Sequence, residues 1–261
     1  MTHFIKTVFA LWKRHYFVWK SMFWPSLTSN VFNPLLFLFS FGFGMGSIIE
    51  TMEVGGQQVS YMSYIIPGMM AYSGMFAASF ETSISAFARS HMQSYWDQVL
   101  STPARLYHLL WAEIFWATSK SLFAVVCVMA VGYGFGSIDA GLSILLVLPV
   151  MALGCLCFSA CGMVATSLAR SFDMFSYFFT FWVTPMFIFS GVFFPVTRFP
   201  EAVQNFAFCL PMTHLVDIVR VISADLPFDG LAIFYKMAYL VILTAVAYSV
   251  AYHKMKKRIF D

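Results

Sequence analysis

Long apolar runs separated by short polar ones dominate this chain. Stretches without a charged residue extend over Ser21 to Ile49, Val54 to Phe80, Ser121 to Ile138, Ala140 to Ala169 and Met174 to Thr197. An α-helix needs about 20 mostly apolar residues to cross a hydrocarbon core. A sixth run starts near Leu231, continues through LVILTAVAYSVAY and holds only Lys236 in its first turns. The pattern predicts an all-α integral membrane protein, one transmembrane domain over 1–261. Its transmembrane helices fall at 24–46, 61–86, 107–136, 141–168, 173–195 and 231–252.

Two segments break the pattern. In THFIKTVFALWKRHYFVWKS, Lys6, Lys13 and Lys20 recur on one side of a helix, and Phe4, Val8, Leu11, Trp12, Trp19 and Phe23 on another. That arrangement predicts an interfacial helix over 1–23, with its aromatic rings at headgroup level. It is either a plain juxtamembrane anchor or a mechanical link to a moving partner. The second is 196–230, punctuated by Pro200, Pro211 and Pro227 yet with short helical stretches near 201–210 and 212–223. Neither stretch is long enough to cross. Irregular backbone at membrane depth is tolerated where protein or a water-filled cavity surrounds it. A re-entrant helical hairpin in the outer leaflet fits, with Gly191, Pro195 and Pro211 making the breaks; a surface loop is the alternative.

Composition agrees with this reading and charge orients it. The 261 residues are 60% hydrophobic and 10% charged, against about 25% charged in a typical globular domain. A net charge of +3 gives no basis for nucleic-acid binding. Lys6, Lys13, Arg14, Lys20, Arg89, Arg105, Arg170, Lys254, Lys256, Lys257 and Arg258 fall on one side of the six crossings. Glu50, Glu53, Asp139, Glu201, Asp217, Asp225 and Asp229 gather on the other, where the only basic residues outside the spans are Arg198 and Arg220. By the positive-inside rule both termini face the cytoplasm, and the first span is too long and wrongly flanked to be a cleaved leader. Lys120 and Lys236 each lie early in a span, from which their ammonium groups can snorkel back to the nearer surface. The tail KMKKR either attracts anionic lipid or only fixes topology. The five cysteines form no CxxC pair; Cys157 and Cys161 share a helix face, as small buried side chains or, less simply, as metal ligands.

The segment 88–105 is the longest loop on the basic side. It has helical content from about Ser90 to Leu100, a break at Ser101, Thr102 and Pro103, and a new helix that opens with Pro103 near its first turn. This presents a short transverse helix whose polar residues are Arg89, His91, Gln93, Asp97 and Gln98, with Tyr95 and Trp96 free to pack on something apolar. Glu81, Glu113 and Lys120 lie in the flanking spans. An unpaired charge at the bilayer centre costs about 2.5 to 3.5 kcal/mol on insertion scales, so these three are expected at the membrane edge, interacting.

Five blocks carry a resemblance: IIPGMMAYSGMFAASFE (65–81), STP followed by a helix (101–103), AEIFWATSKS (112–121), TPMFIFSGVFFPV (184–196) and LPMTHLVDIVR (210–220). In order and spacing the chain resembles the type-2 ABC transporter permeases, and among them those of nodulation-factor (lipo-chitooligosaccharide) exporters. The loop departs from the wider family, whose Gly-Thr-Leu-Glu run is replaced here by QSYWDQVL, with Asp97 in place of the Glu.

The resemblance implies a permease subunit of an ATP-driven exporter in the bacterial inner membrane. It implies a homodimer of this chain with two copies of a separate ATP-binding subunit, and a path for an amphiphilic substrate between the permeases. ATP and Mg belong to that partner; no GxxxxGK[ST] occurs in this chain. Contacts to the ATPase fall to Arg89, Asp97, Thr102, Pro103, Arg105 and Glu113, and a polar relay to Glu81, Glu113 and Lys120. The path would be lined by Asn30, Asn33, Thr180, Thr184 and Ser190. A drug or antibiotic efflux permease of the same family is the alternative. An ion-coupled secondary transporter would want ionisable residues near mid-span, which these spans lack. A membrane enzyme would want HExxH or GxSxG, absent here.

Overall fold

The computed structural model describes residues 2–49, 51–54, 57–135, 143–223 and 229–260. Glu50, Asp139, Asp225, Pro227 and the first residues of the predicted fourth span lie outside that set, as do the side chains of Asn30, Asn33 and Glu53. Apart from one antiparallel hairpin, β1 (Thr51–Val54) and β2 (Gln57–Ser60), the described regular structure is helical.

Helix α1 (Thr2–Ser21) gives way at Met22 to α2 (Phe23–Phe37), which ends in a π-helical stretch, Leu38–Phe43. Helix α3 (Tyr61–Phe80) begins at an extended Ser60 whose hydroxyl accepts the Ser63 N–H at 3.1 Å. It runs through a π segment, Glu81–Ser85, into α4 (Ala86–His91), so the predicted end at 86 is passed without a break. Ser94, at φ +47°, turns the chain into α5 (Tyr95–Leu100). Helices α6 (Leu106–Gly134) and α7 (Ser143–Leu168) follow. Then α8 (Met174–Phe178), a π segment Phe179–Val183 and α9 (Thr184–Phe189) form one shorter apolar rod. Helices α10 (Glu201–Phe208) and α11 (Pro211–Ser223) meet at a bend of 86°. The last helix, α12 (Gly230–Phe260), carries the basic tail as regular helix.

Among the described residues, α6, the Leu146–Leu168 part of α7, and α12 are each long and apolar enough to cross a membrane, and the bent α10–α11 pair passes the same test as a unit. The π segments interrupt the predicted first, second and fifth spans. In the fifth, the helix ends at Phe189, short of the predicted 195. Gly191 sits at φ +77° there, a conformation that side chains disfavour.

Helix α7 forms the middle of the bundle and packs on α3, α6, α11 and α12. Its glycines permit the close approach: a Cβ on Gly162 would stand 2.2 Å from Thr82 Oγ1, and one on Gly154 would stand 2.4 Å from Leu215 Cδ2. The main core joins Ile65, Ile66, Met69 and Met75 of α3, Val125 and Val128 of α6, Met151 and Phe158 of α7, and Leu215 and Val219 of α11. A second cluster puts Tyr95, Trp96 and Val99 of α5 against Leu106, Leu109 and Leu110 of α6, Met163 of α7 and Ala251 and Met255 of α12.

The apolar stripe of helix α1 covers α6: Phe4 stacks on Tyr107, Trp12 donates from Nε1 to Ser119 Oγ at 3.0 Å, and Trp19 and Phe23 meet Phe123. The two helices therefore run side by side in the same direction. Ile5, Phe9, Phe17 and Val18 form a further, exposed apolar face.

Candidate functional site

The site lies where the last turns of α3 meet the first half of α6. Glu113 is fully buried and Glu81 is 3% exposed. Between them lies Arg89. Its Nε and Nη2 donate to Glu113 Oε1 and Oε2 at 3.2 and 2.6 Å, and its Nη1 donates to Glu81 Oε1 at 2.7 Å. Nη2 also reaches the Glu81 carbonyl at 3.3 Å. Lys120 Nζ donates to Glu81 Oε2 at 2.7 Å. Two indoles complete the set: Trp96 Nε1 to Glu113 Oε1 and Trp116 Nε1 to Glu81 Oε1, each at 3.1 Å. All four carboxylate oxygens thus have donors, and two cations balance two anions.

The π segment makes this geometry possible. Eight residues of α-helix are about 2.2 turns, which would leave Arg89 roughly 80° around the helix from Glu81. The wider turns of Glu81–Ser85 take up that surplus and bring both side chains to one face. Taking such charges out of water is costly, and their pairing offsets the cost only when the geometry is good. The bidentate fork on Glu113 is the form of contact that a guanidinium makes and an ammonium cannot. Burial pulls the Arg89 pKa down, but Glu113 and Glu81 outweigh it and hold the group above its ordinary value, fully charged.

Helix α1 closes the site from one side. His15 Nε2 lies 3.7 Å from Glu113 Oε1, too far for a hydrogen bond, and its ring stacks on Trp116 and meets Tyr95 edge-on. Burial lowers the His15 pKa against the opposing pull of Glu113, so the ring is neutral at neutral pH. Beside it, the Arg14 guanidinium lies 3.6 Å from the centre of the Tyr95 ring, a cation–π contact that fastens α1 to α5.

The remaining candidates separate. Helix α5 turns Tyr95, Trp96 and Val99 inward and leaves Asp97 and Gln98 exposed. Thr102 closes the turn after it, with Oγ1 donating to the Val99 carbonyl at 2.6 Å. Pro103 lies in this turn and not in the first turn of a helix: α6 starts at Leu106, because Arg105 is still extended and its N–H is taken by His108 Nδ1 at 3.0 Å. Arg105 itself is exposed. Thr180 and Thr184, one turn apart, face out of the monomer, whereas Ser190 is buried away from them with its hydroxyl unpartnered. The structure does not bring these three into one lining. Lys120 and Lys236 are each paired with a carboxylate, Lys236 with Asp217 at 3.0 Å.

Sequence reasoning assigned Arg89 only to the loop and missed Trp96, Trp116 and His15 as members of the charged set. It also used Arg220 for topology alone. That residue, 7% exposed, donates from Nη2 to the Gly191 carbonyl at 2.8 Å and stacks 3.9 Å over Tyr64, whose hydroxyl donates to the same carbonyl at 2.9 Å. The one available signal was the presence of Asp217 and Arg220 in a helix with an otherwise apolar face.

Comparison with known proteins fits this architecture. The model of the ABC-2 type transporter family matches residues 6–223. Nodulation protein J of Rhizobium leguminosarum bv. trifolii is 38% identical over 224 residues, 84% of this chain and 81% of that protein. Nodulation protein J of Rhizobium meliloti (strain 1021) is 35% identical, with the same shares covered. The inner membrane transport permease YadH of Escherichia coli (strain K12) is 23% identical over 211 residues, 81% of this chain and 80% of that one. A family match over most of the chain, relatives above 30% identity across four-fifths of their own length, and several membrane-capable helices lead to one conclusion: the chain is a multi-pass membrane permease of the ABC-2 type transporter family.

Proposed function

We propose that this protein is the permease subunit of an ATP-driven exporter. Two copies pair to form the path, and each binds a separate ATP-binding subunit, which holds ATP and Mg. The chain crosses the bacterial inner membrane six times with both termini in the cytoplasm, and the α10–α11 bend forms a re-entrant hairpin in the outer leaflet. An amphiphilic compound such as a lipo-oligosaccharide is the substrate class. The likeness to the nodulation proteins supports that choice, and the likeness to YadH supports the inner membrane.

The observation that carries the reading is the buried Glu81–Arg89–Glu113–Lys120 network. Helix α5 presents Asp97 and Gln98 outward to the ATPase and holds Glu113 through Trp96 on its inner side. Arg89 grips α3 and α6 together. A displacement of the 88–105 loop therefore reaches two spans through charge-assisted bonds, which are shorter and stronger than neutral ones. Arg89, Asp97, Thr102, Pro103, Arg105 and Glu113 serve the coupling, with Glu81 and Lys120 as its far end. Thr180 and Thr184 on the open face of the α8–α9 rod line the path between the two copies.

The first test is copurification of the permease with an ATP-binding subunit. In the assembled complex, Glu113→Gln keeps the shape of the side chain but removes the anion that Arg89 grips. Transport and ATP turnover should then fall together; unaltered rates would remove the relay.

A further inference from the structure

The end of the chain makes a contact that the Glu81–Glu113 network does not use. Arg258, in the last turns of α12, donates from Nη1 to the carbonyls of Ala169 at 2.6 Å and Thr166 at 3.3 Å. These acceptors lie at the C-terminus of α7, where the last carbonyls lack helical partners and the dipole favours a cation. Its Nη2 lies 2.8 Å from His91 Nε2. A guanidinium can only donate, so Nε2 is the acceptor and the ring proton resides on Nδ1, which stands 2.6 Å from Ser90 Oγ. The ring is stacked flat on Phe87, 4.0 Å between centroids.

His91 is the last residue of α4, and the turn at Ser94 into α5 follows directly. Thr166 is tied at the same level to the π segment, its Oγ1 donating to the Thr82 carbonyl at 2.6 Å. Four elements therefore converge on one guanidinium: the end of α12, the end of α7, α4 and, through Thr166, the π segment after α3. Among the described residues no carboxylate pairs with Arg258. Asp97 and Arg170 are the other charged groups felt across this junction.

We propose that Arg258 is a positioning residue for energy transfer. It fixes α4, and with it the docking helix α5, to the ends of α7 and α12, so that motion of the 88–105 loop enters the second half of the bundle by a route separate from Glu113. The proposal rests on the reading of 88–105 as the coupling loop.

The experiment measures spin-label distances between Gln98→Cys and Lys256→Cys, with Cys127 and Cys209 replaced by serine. It uses the permease–ATPase complex in lipid nanodiscs, without nucleotide and trapped with ATP and vanadate. In complexes where the doubly labelled permease is diluted with unlabelled copies, the parent should show one narrow distance distribution in both states, because the two elements travel as a unit. Arg258→Ala and His91→Ala should broaden it and change the ATPase rate of the complex by roughly threefold or more. His91→Gln, whose side-chain oxygen can accept from Arg258, should restore both. Parent-like distances and rates in the two alanine variants, whatever their thermal stability, would overturn the proposal, as would a parent distance that shifts with nucleotide. If instead the label at 98 shows no approach to labels on the ATP-binding subunit, the coupling-loop reading itself fails, and this inference falls with it.

Discussion

Two arginines lie at opposite ends of α3 and solve the same problem differently. Arg89, near the Glu81 end, answers two buried carboxylates and shares one of them with Lys120. Arg220, near the Tyr64 end, answers a backbone carbonyl and the face of a ring, while the neighbouring Asp217 is taken by Lys236. The first arrangement is closed, because removing any member strands a charge that nothing else can satisfy. The second is open, because a carbonyl or a phenol that loses its donor or its cation is left uncharged. Buried ion networks fix one register at a high cost of disruption, whereas cation–carbonyl and cation–π contacts hold a junction that can be released.

Removal of each arginine gives the sharpest test of that contrast. Arg89→Ala leaves two buried carboxylates with Lys120 alone and should cost about 3–5 kcal/mol, seen as a large fall in the unfolding midpoint in detergent. Arg89→Lys should recover little of it, since an ammonium cannot make the forked contact. Arg220→Ala should cost less, about 1.5–3 kcal/mol, the value of a hydrogen bond to a charged group. Its effect should appear as loosening of the Gly191 junction, measured by hydrogen exchange in 189–199. Equal costs for the two would break the comparison.

Acid probes the closed end more gently. The folded-state pKa of His15 lies below its ordinary value because of burial, with Glu113 opposing and Arg89 and Arg14 adding to the depression. Between that lowered value and about 6.5 the unfolded chain binds more protons than the folded one. Stability should therefore rise with pH through this window and be lost as pH falls. His15→Gln should flatten the profile below about pH 6.5; an unchanged profile would show that the α1 contact plays no part. The smallest effect is expected at Ser94, whose positive φ suits glycine better. Ser94→Gly should leave the fold intact and relieve about 1 kcal/mol of backbone strain, measurable as a small upward shift of the same midpoint.

Much of the scaffold could be read from the chain itself. Apolar runs locate α6, α7 and α12, although α6 also takes in Glu113 and Lys120 and α12 continues past 252 to Phe260, because burial and the backbone's need for internal hydrogen bonds leave a long greasy segment no other structure. The amphipathic order of α1 was equally plain, but which surface its stripe would cover was not, since lipid and a neighbouring helix are alike to Trp12 and Trp19. The π segments were invisible. The one at 81–85 follows from where Glu81 and Arg89 must meet, and that is a tertiary demand with no local signature there. The early end of α9 was partly legible, since Gly191 and Pro195 offer a break in FIFSGVFFPV, while the pull of Tyr64 and Arg220 on the Gly191 carbonyl that fixes it was not. Glu81, Glu113 and Lys120 stood out as charges in greasy helices, yet the residue that joins them lay in what reads as a loop.

One consequence of the Glu81–Arg89 alignment concerns synthesis. Both side chains belong to a single uninterrupted rod, so the anion and its counter-ion leave the ribosome within moments of each other and can enter the translocon already matched. Glu113 is made later, and the guanidinium is there to receive it. A reversed chain order, with Arg89 made last, would expose two bare carboxylates to the lipid gate while the remedy was still being translated.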